Sequence, residues 1–261
     1  MTAALQELWR YRGLLAAIVY RDIRIKYKQS IMGFLWAILM PVLIVLVGVL
    51  VRYAYSLASG APLEAGDVAS VALRSVPWAF TVSAIRMATS CLIGNTSLVT
   101  KIYFPKEIFP IAAVGASFFD LVIAAVPLAI LLVFGGAQLS VHLLWLPILL
   151  VILLGIVTGI SFLVSAASLF FRDVKYLVEV GLTFGIFVTP VFFHAAMFGK
   201  YGVLMMVNPV SAVLEGLDAA ILQAREPDLV WLGYSAAFAA TSTLLGYLFF
   251  KRLEPAFAES I

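Results

Sequence analysis

The stretch 142–169, HLLWLPILLVILLGIVTGISFLVSAASL, contains no Asp, Glu, Lys or Arg. A helix that crosses the hydrocarbon core of a bilayer needs roughly 20 mostly apolar residues. Six stretches of the chain qualify: 31–55, 68–95, 108–135, 142–169, 176–196 and 228–250. Arg86 and Asn95 interrupt the second, and Pro127, Pro147 and Pro190 are expected to kink the third to fifth. The chain is 64% hydrophobic and only 12% charged, whereas soluble chains are about 45–50% apolar and about 25% charged. The expected fold class is therefore an all-α integral membrane protein with six transmembrane helices.

Little in the chain supports covalent chemistry. Cys91 is the single cysteine, and the two histidines, His142 and His194, lie far apart. Neither a disulfide nor a metal site nor a Cys/His catalytic pair is expected. No Gly-rich phosphate-binding loop, nucleophile elbow or His-centred zinc motif appears. The chain is not expected to be an enzyme, to bind a cofactor itself or to bind nucleic acid. The basic, aromatic first thirty residues do not read as a signal peptide.

Cationic residues orient the spans. Arg10, Arg12, Arg21, Arg24, Lys26, Lys28, Lys101, Lys106, Arg172, Lys175, Lys251 and Arg252 fall on one side. Arg52, Arg74, Lys200 and Arg225 fall on the other. Both termini are thus expected in the cytoplasm. Segment 5–29 reads as a helix lying on the membrane surface. Arg10, Arg21, Arg24 and Lys28 share one side of it, and Leu5, Leu8, Trp9, Leu15, Val19, Ile23 and Tyr27 the other. Such a helix offers its cations to anionic lipid; a generic basic anchor is the plainer alternative.

Two loops look built. The turn LVTKIYFPKEIFPI, 98–111, has far more large apolar residues than water asks of a turn. Phe104, Pro105, Lys106, Glu107 and Ile108 could start a short helix that presents aromatics to a protein cleft and charges at its rim. The alternative is a turn resting on headgroups. The external segment 197–227 is too apolar for a solvated loop. Asn208-Pro209 has the form of a helix start, and the following VSAVLEGLDAAILQA is too short to span, which fits a half-inserted or re-entrant helix. Arg86 and Asp120 are the main candidates for ionisable residues at mid-membrane. Without a visible inverted repeat, ion coupling finds little support.

Taken in order, these motifs resemble the membrane subunit of type-2 ABC exporters of polysaccharides such as O-antigen, capsule and teichoic acid. The matching pieces are YRDIRIKYKQSIMGFLWAILMP, NTSLVTKIYFPKEIFP, FFRDVKYL, TPVFF and NPVSAVLEGLDAAIL. Thr189 replaces a frequent Ser before Pro190, and Asp218 stands where Arg is common.

The resemblance implies a homodimer of six-span subunits in the inner (cytoplasmic) membrane of a bacterium. It also implies two separate ABC ATPase subunits, which hold ATP and Mg, and a lipid-linked glycan as cargo, commonly on a polyprenyl diphosphate. The implied layout is an interface segment 1–30, a transmembrane domain 31–252 and a tail 253–261. Within it lie a coupling turn 97–109 that includes Lys101, a second cytoplasmic turn 170–176 and external gate helices in 197–227, with Asn208, Pro209 and Asp218 as gate residues. The chain has 19 Phe, 10 Tyr and 5 Trp. Sugar C–H faces pack on aromatic rings, so Phe34, Trp36, Phe184 and Phe187 are candidates for a channel lining; interfacial belt or helix contacts are the alternative for each. The functional expectation is a permease for glycan. An exporter permease for small lipophilic compounds is the alternative, and an ATP-independent channel or secondary transporter is a more distant one.

Overall fold

A computed structural model describes residues 2–28, 35–60, 62–101, 103–134, 137 and 140–257, with side chains from residue 6 onward. Phe34 lies outside the described residues. The described chain is helical throughout, with no strand among the described residues: α1 (Thr2–Arg10), α2 (Arg12–Tyr27), α3 (Leu35–Ser59), α4 (Ala65–Ser90), α5 (Thr96–Lys101), α6 (Ile108–Phe134), α7 (Trp145–Phe170), α8 (Asp173–Val188), α9 (Gly202–Met206), α10 (Pro209–Ile221) and α11 (Leu229–Leu253). Short 3-10 turns precede α5, α7 and α9 and follow α11.

Five of the described helices are long and apolar enough to cross a membrane: α3, α4, α6, α7 with the turn before it, and α11 with the turn after it. The expected span at 176–196 differs. Its helix, α8, has 16 residues, or about 24 Å at 1.5 Å per residue, against a core of about 30 Å. The apolar run continues past Val188, but Pro190 cannot extend the helix. The chain turns there, with Val191 N–H donating to Thr189 O at 2.7 Å. Pro190 thus ends a helix instead of kinking one. Pro147 lies in the first turn of α7, where a missing N–H costs nothing.

α4 is the central helix. In its most apolar window 78% of residues are buried, against 17–50% for the other four. Its residues facing inward include Ala69, Ala72, Ser75, Ala84 and Ala88, and small side chains let backbones approach closely. α7 and α11 pack by the same device. A Cβ on Gly159 would lie 2.5 Å from Ser242 C, and one on Gly246 would lie 2.5 Å from Gly159 O. Thr243 Oγ1 donates to Gly155 O at 2.8 Å across that contact.

Two cores result. One fills the middle and far end of the bundle between α4, α6, α7, α10 and α11. The other gathers Ile18, Leu92, Val99, Phe104, Phe109, Phe250 and their neighbours. It brings the N-terminal helices, the 101–108 turn and the C-terminal tail to one end of the bundle.

Segment 5–29 is not one flat helix. It breaks at Tyr11 into α1 and α2, and α2 runs beside α6. Val19 faces Gly115, and Tyr27 reaches Asp120, about 18 Å along α6 at 1.5 Å per residue. The helix therefore leans into the bundle. Its basic residues remain at the surface: Arg24 and Lys28 are exposed, and Arg21 pairs with Asp22 at 2.7 Å.

Candidate functional site

At the turn end, α5 closes with exposed Lys101, and Tyr103 stands 99% exposed. Phe104 does the opposite. It is 6% exposed, with its ring centroid 5.6 Å from that of Phe109 and the Lys106 ammonium 4.3 Å over its face. Ile108 and Glu107 are fully buried. Glu107 Oε2 receives Lys251 Nζ at 2.8 Å, and Lys251 also reaches Glu254 Oε2 at 2.9 Å. Glu254 Oε1 accepts the Lys106 backbone N–H at 3.0 Å. Burial pushes the Glu107 carboxyl above the usual carboxylate range, and Lys251 opposes this. Burial also lowers Lys106, with Glu254 opposing.

This geometry corrects the reading of Phe104 and Ile108 as anchors for a partner's cleft, and of Glu107 as a rim charge. All three face the chain's own second core, because α11 and its tail fold over the turn. The outward groups of this end are Tyr103 and Lys101, together with Phe171, Arg172, Lys175 and Tyr176 around the start of α8. Pro105 accepts from Ile108 N–H at 3.4 Å as the chain enters α6.

Along the side of the bundle, α2, α3, α4 and α6 enclose a cleft of about 630 Å³. Trp36, Lys26, Ser83, Arg86 and Asp120 contribute to its wall. Asp120 accepts from the Tyr27 hydroxyl and pairs with Lys26. Burial and this carboxylate push the Tyr27 phenol up. Arg86 forms a two-pronged pair with Glu179 of α8, at 2.6 and 2.9 Å. α3 and α8 both pack on α4 yet keep most of their surfaces open: α8 has no buried residue, and α3 has Ala37, Pro41 and Gly48. Trp36 is exposed on α3, and Phe184 and Phe187 are exposed on α8.

At the far end, Asn208 caps α10. Its side chain accepts from Val210 N–H at 3.1 Å, and its Nδ2 donates to Thr189 Oγ1 at 2.7 Å. Pro209 takes the first helical position. Beside this helix start lies an ion network that links three parts of the chain. Arg74 of α4, 1% exposed, donates to Pro190 O at 3.1 Å, Phe193 O at 2.8 Å and Ser70 Oγ at 2.6 Å. It also stands 3.5 Å from Glu215 Oε1. His194 Nδ1 lies 3.1 Å from Glu215 Oε2, and its Nε2 lies 3.2 Å from Asp218 Oδ2. Gln223 donates to the same Asp218 oxygen at 3.0 Å. The donors of His194, Glu215 and Asp218 come within 4.8 Å of one another. However, the carboxylates flank opposite ring nitrogens and a buried guanidinium is already present, so the group reads as an ion network and not a metal cage.

No family model matches the chain. Relatives do match it along nearly its whole length. The O-antigen export system permease protein RfbA of Myxococcus xanthus is 26% identical over 267 residues, with 100% of each chain covered. Two proteins of that description from Klebsiella pneumoniae are 26% identical over 254 residues and 23% over 253, each with 94% of both chains covered. The chain is thus similar, along nearly its whole length, to O-antigen export system permeases. With five helices among the described residues long and apolar enough to cross a membrane, it is a multi-pass membrane protein.

Since the similarity runs end to end, the turn end, the side cleft and the far-end network all lie within the region shared with these permeases. Sequence reasoning missed Arg74, His194 and Glu215 as a group, and Lys251 and Glu254 as partners of the turn. The one local signal was Arg74, a cation inside an apolar helix. It lies ten residues into α4, at the end of the bundle that also holds Pro190 and α10. Asp218, at a position where Arg is common in the family the chain resembles, is a buried carboxyl group contacted by His194 and Gln223.

Proposed function

We propose that the chain is the permease subunit of an ATP-driven polysaccharide exporter in the inner membrane. The observation that carries this reading is similarity over nearly the full length to three O-antigen export permeases. In this reading two copies enclose a channel and a separate ATPase supplies the energy. The chain itself guides the cargo and does no covalent chemistry. The open surfaces of α3 and α8 on either side of α4 are where a second copy fits best. Exposed Trp36, Phe184 and Phe187 would then line or border the path, where flat rings give contact to sugar faces without fixing a sliding polymer. The cargo is a lipid-linked glycan, with polyprenyl diphosphate as the expected carrier.

The ATPase docks at the turn end, on Tyr103, Lys101 and the Phe171–Tyr176 segment, with both termini on the same cytoplasmic side. The buried residues beneath, Phe104, Pro105, Glu107 and Ile108, hold the turn in shape. Arg21, Arg24 and Lys28 on the open side of α2 face anionic headgroups. The far-end segment 197–227 serves as the external gate.

The test is to capture the tagged chain from native membranes, identify co-purifying ATPases and delete the chain in the same host. Recovery of an ATPase with a phosphate-binding loop, and accumulation of unexported lipid-linked glycan on deletion, are expected. Normal surface glycan after deletion overturns the reading.

A further inference from the structure

His194 sits between two carboxylates, one at each ring nitrogen, at 3.1 Å from Glu215 Oε2 and 3.2 Å from Asp218 Oδ2. A neutral imidazole has one N–H and one lone pair. The lone pair would have to face a carboxylate oxygen, which is acceptor against acceptor. The other hydrogen bonds around the ring narrow the alternatives. Glu215 Oε1 already accepts the Ala195 backbone N–H at 2.8 Å. Asp218 Oδ2 already accepts from Gln223. Ser70 Oγ accepts from the Arg74 guanidinium and keeps one hydroxyl proton, but it lies 3.4 Å from His194 Nε2, farther than the Asp218 oxygen at 3.2 Å.

Charge gives the same answer. The groups facing this site are Arg74 and Ser70 from α4, Glu215 and Asp218 from α10, and Gln223 just beyond it; Arg225, Glu226 and Asp228 line the same pocket as Ala195 and Glu215, and they bring one cation against two carboxylates. Arg52 of α3 lies nearby but is taken up by Asp67. Arg74 balances one of the two carboxylates. Asp218 is 1% exposed, and a buried carboxylate without a countercharge is costly. A second cation restores neutrality, and His194 is placed to be it.

We propose that a proton on His194 is the clasp that ties segment 189–196 to α10. With both nitrogens protonated, the ring donates to α10 from one short segment, and Ala195 N–H and the Arg74 bonds to Pro190 O and Phe193 O reinforce the tie. When the ring loses a proton, one carboxylate contact turns repulsive and the segment is released toward its open side. His194 is partly exposed, so the proton exchanges with the solution at the far end. Protonated and closed is the low-pH state; the clasp opens as pH rises. Its link to export rests on reading 197–227 as the external gate, whereas the clasp itself does not.

The chain has only two histidines, which makes the test direct. In His142→Gln, reconstituted in nanodiscs, His194 is the sole imidazole, and its ring 15N shifts report the proton count. Two protonated nitrogens are expected at about pH 5.5, with one proton lost in a single step as pH rises. In parallel, Ala195→Cys in a Cys91→Ala background reports opening by maleimide labelling, corrected for thiolate fraction with a solvent-exposed cysteine. Labelling should rise about tenfold or more with the same midpoint, the scale of one lost hydrogen bond to a charged group. His194→Gln in that background should label fast at every pH. A ring that stays singly protonated from about pH 5 to 8 overturns the proposal. So does pH-independent labelling, or a 15N shift that follows added zinc instead of protons. If the clasp titrates but glycan export in cells shows no dependence on external pH, the clasp stands and the gate reading of 197–227 fails.

Discussion

Lys251→Met is the sharpest test of the turn end. Glu107 is fully buried, and its charge is met by Lys251 Nζ at 2.8 Å. Removing one partner of a buried pair costs about 3–5 kcal/mol, because the other charge is left uncompensated. The Lys251 side chain keeps 28% of its exposure, so water screens part of this and about 3 kcal/mol is expected. For a chain of this size 1 kcal/mol moves Tm by about 2–4 °C, which predicts a loss of about 6–12 °C. Tryptophan fluorescence of purified protein in nanodiscs reads it. Adding Glu107→Gln to Lys251→Met removes the stranded charge and should restore more than half of the loss. The pH dependence has a definite sign. Burial raises the Glu107 carboxyl in the folded state, and losing Lys251 raises it further. The folded variant therefore takes up a proton more readily than the unfolded chain. Its deficit should shrink as pH falls through that raised range and be largest above it. A Lys251→Met protein that melts within about 1 °C of the unmodified one, or a double variant worse than the two singles together, refutes the tie between α11 and the turn.

Gly159→Ala should cost about 1–3 kcal/mol by overpacking, since its Cβ would fall 2.5 Å from Ser242 backbone carbon; Gly233→Ala, with open space around it, should be neutral or gain about 0.5–1 kcal/mol, both read by Tm. Asp120→Asn weakens the holds of Tyr27 and Lys26, and faster hydrogen exchange confined to α2 is expected. A thiol reagent that cannot cross membranes should label Tyr103→Cys in inside-out vesicles and leave Phe104→Cys protected; labelling of Tyr103→Cys in right-side-out cells instead would invert the orientation. Phe104→Ala should lower stability by about 3–5 kcal/mol, as for a buried aromatic, so loss of ATPase binding without loss of Tm would argue against its core position.

What the sequence revealed was local. The long apolar stretches could be read because length and composition are contained within each helix. The Asn208-Pro209 start was visible because a cap bonds to its own neighbours. Reading failed where the partner is distant in sequence. Hydropathy continued through Thr189-Pro190 and extended a helix that Pro190 ends. The stretch with Arg86 in it looked the most compromised as a span, yet α4 is the most buried of the five long apolar helices; Arg86 lies near its end and pairs outward with Glu179. The aromatics of the turn signalled an interface correctly in kind but not in partner. Phe104 and Ile108 are covered by α2, α11 and the tail of the same chain. Nothing in the turn itself reveals that residues 250–257 return to it.

The placement of these distant partners bears on how the two ends communicate. α4 carries Arg74 into the far-end network and Ala88 into the turn-end core. α11 begins beside α10, with Ser235 Oγ donating to Pro209 O at 2.7 Å, and ends with Lys251 and Glu254 on the turn. α7 lies against α11 with backbone nearly on backbone at Gly159 and Ser242. Tightly packed interiors yield little to local compression, so a push on the turn at Tyr103 moves α4 and α11 as rods before it deforms them. In the exporter reading, the far end would receive that movement at Arg74 and at the start of α10. Both grip the segment that His194 holds. Displacing α11 from α7 should therefore uncouple one of the two rods: a Gly159→Ala protein that stays folded and binds its ATPase, but no longer alters far-end labelling when ATP is added, is the expected result. Unchanged labelling responses in that variant would mean that α4 alone carries the movement, and Arg74→Gln would then have to abolish it.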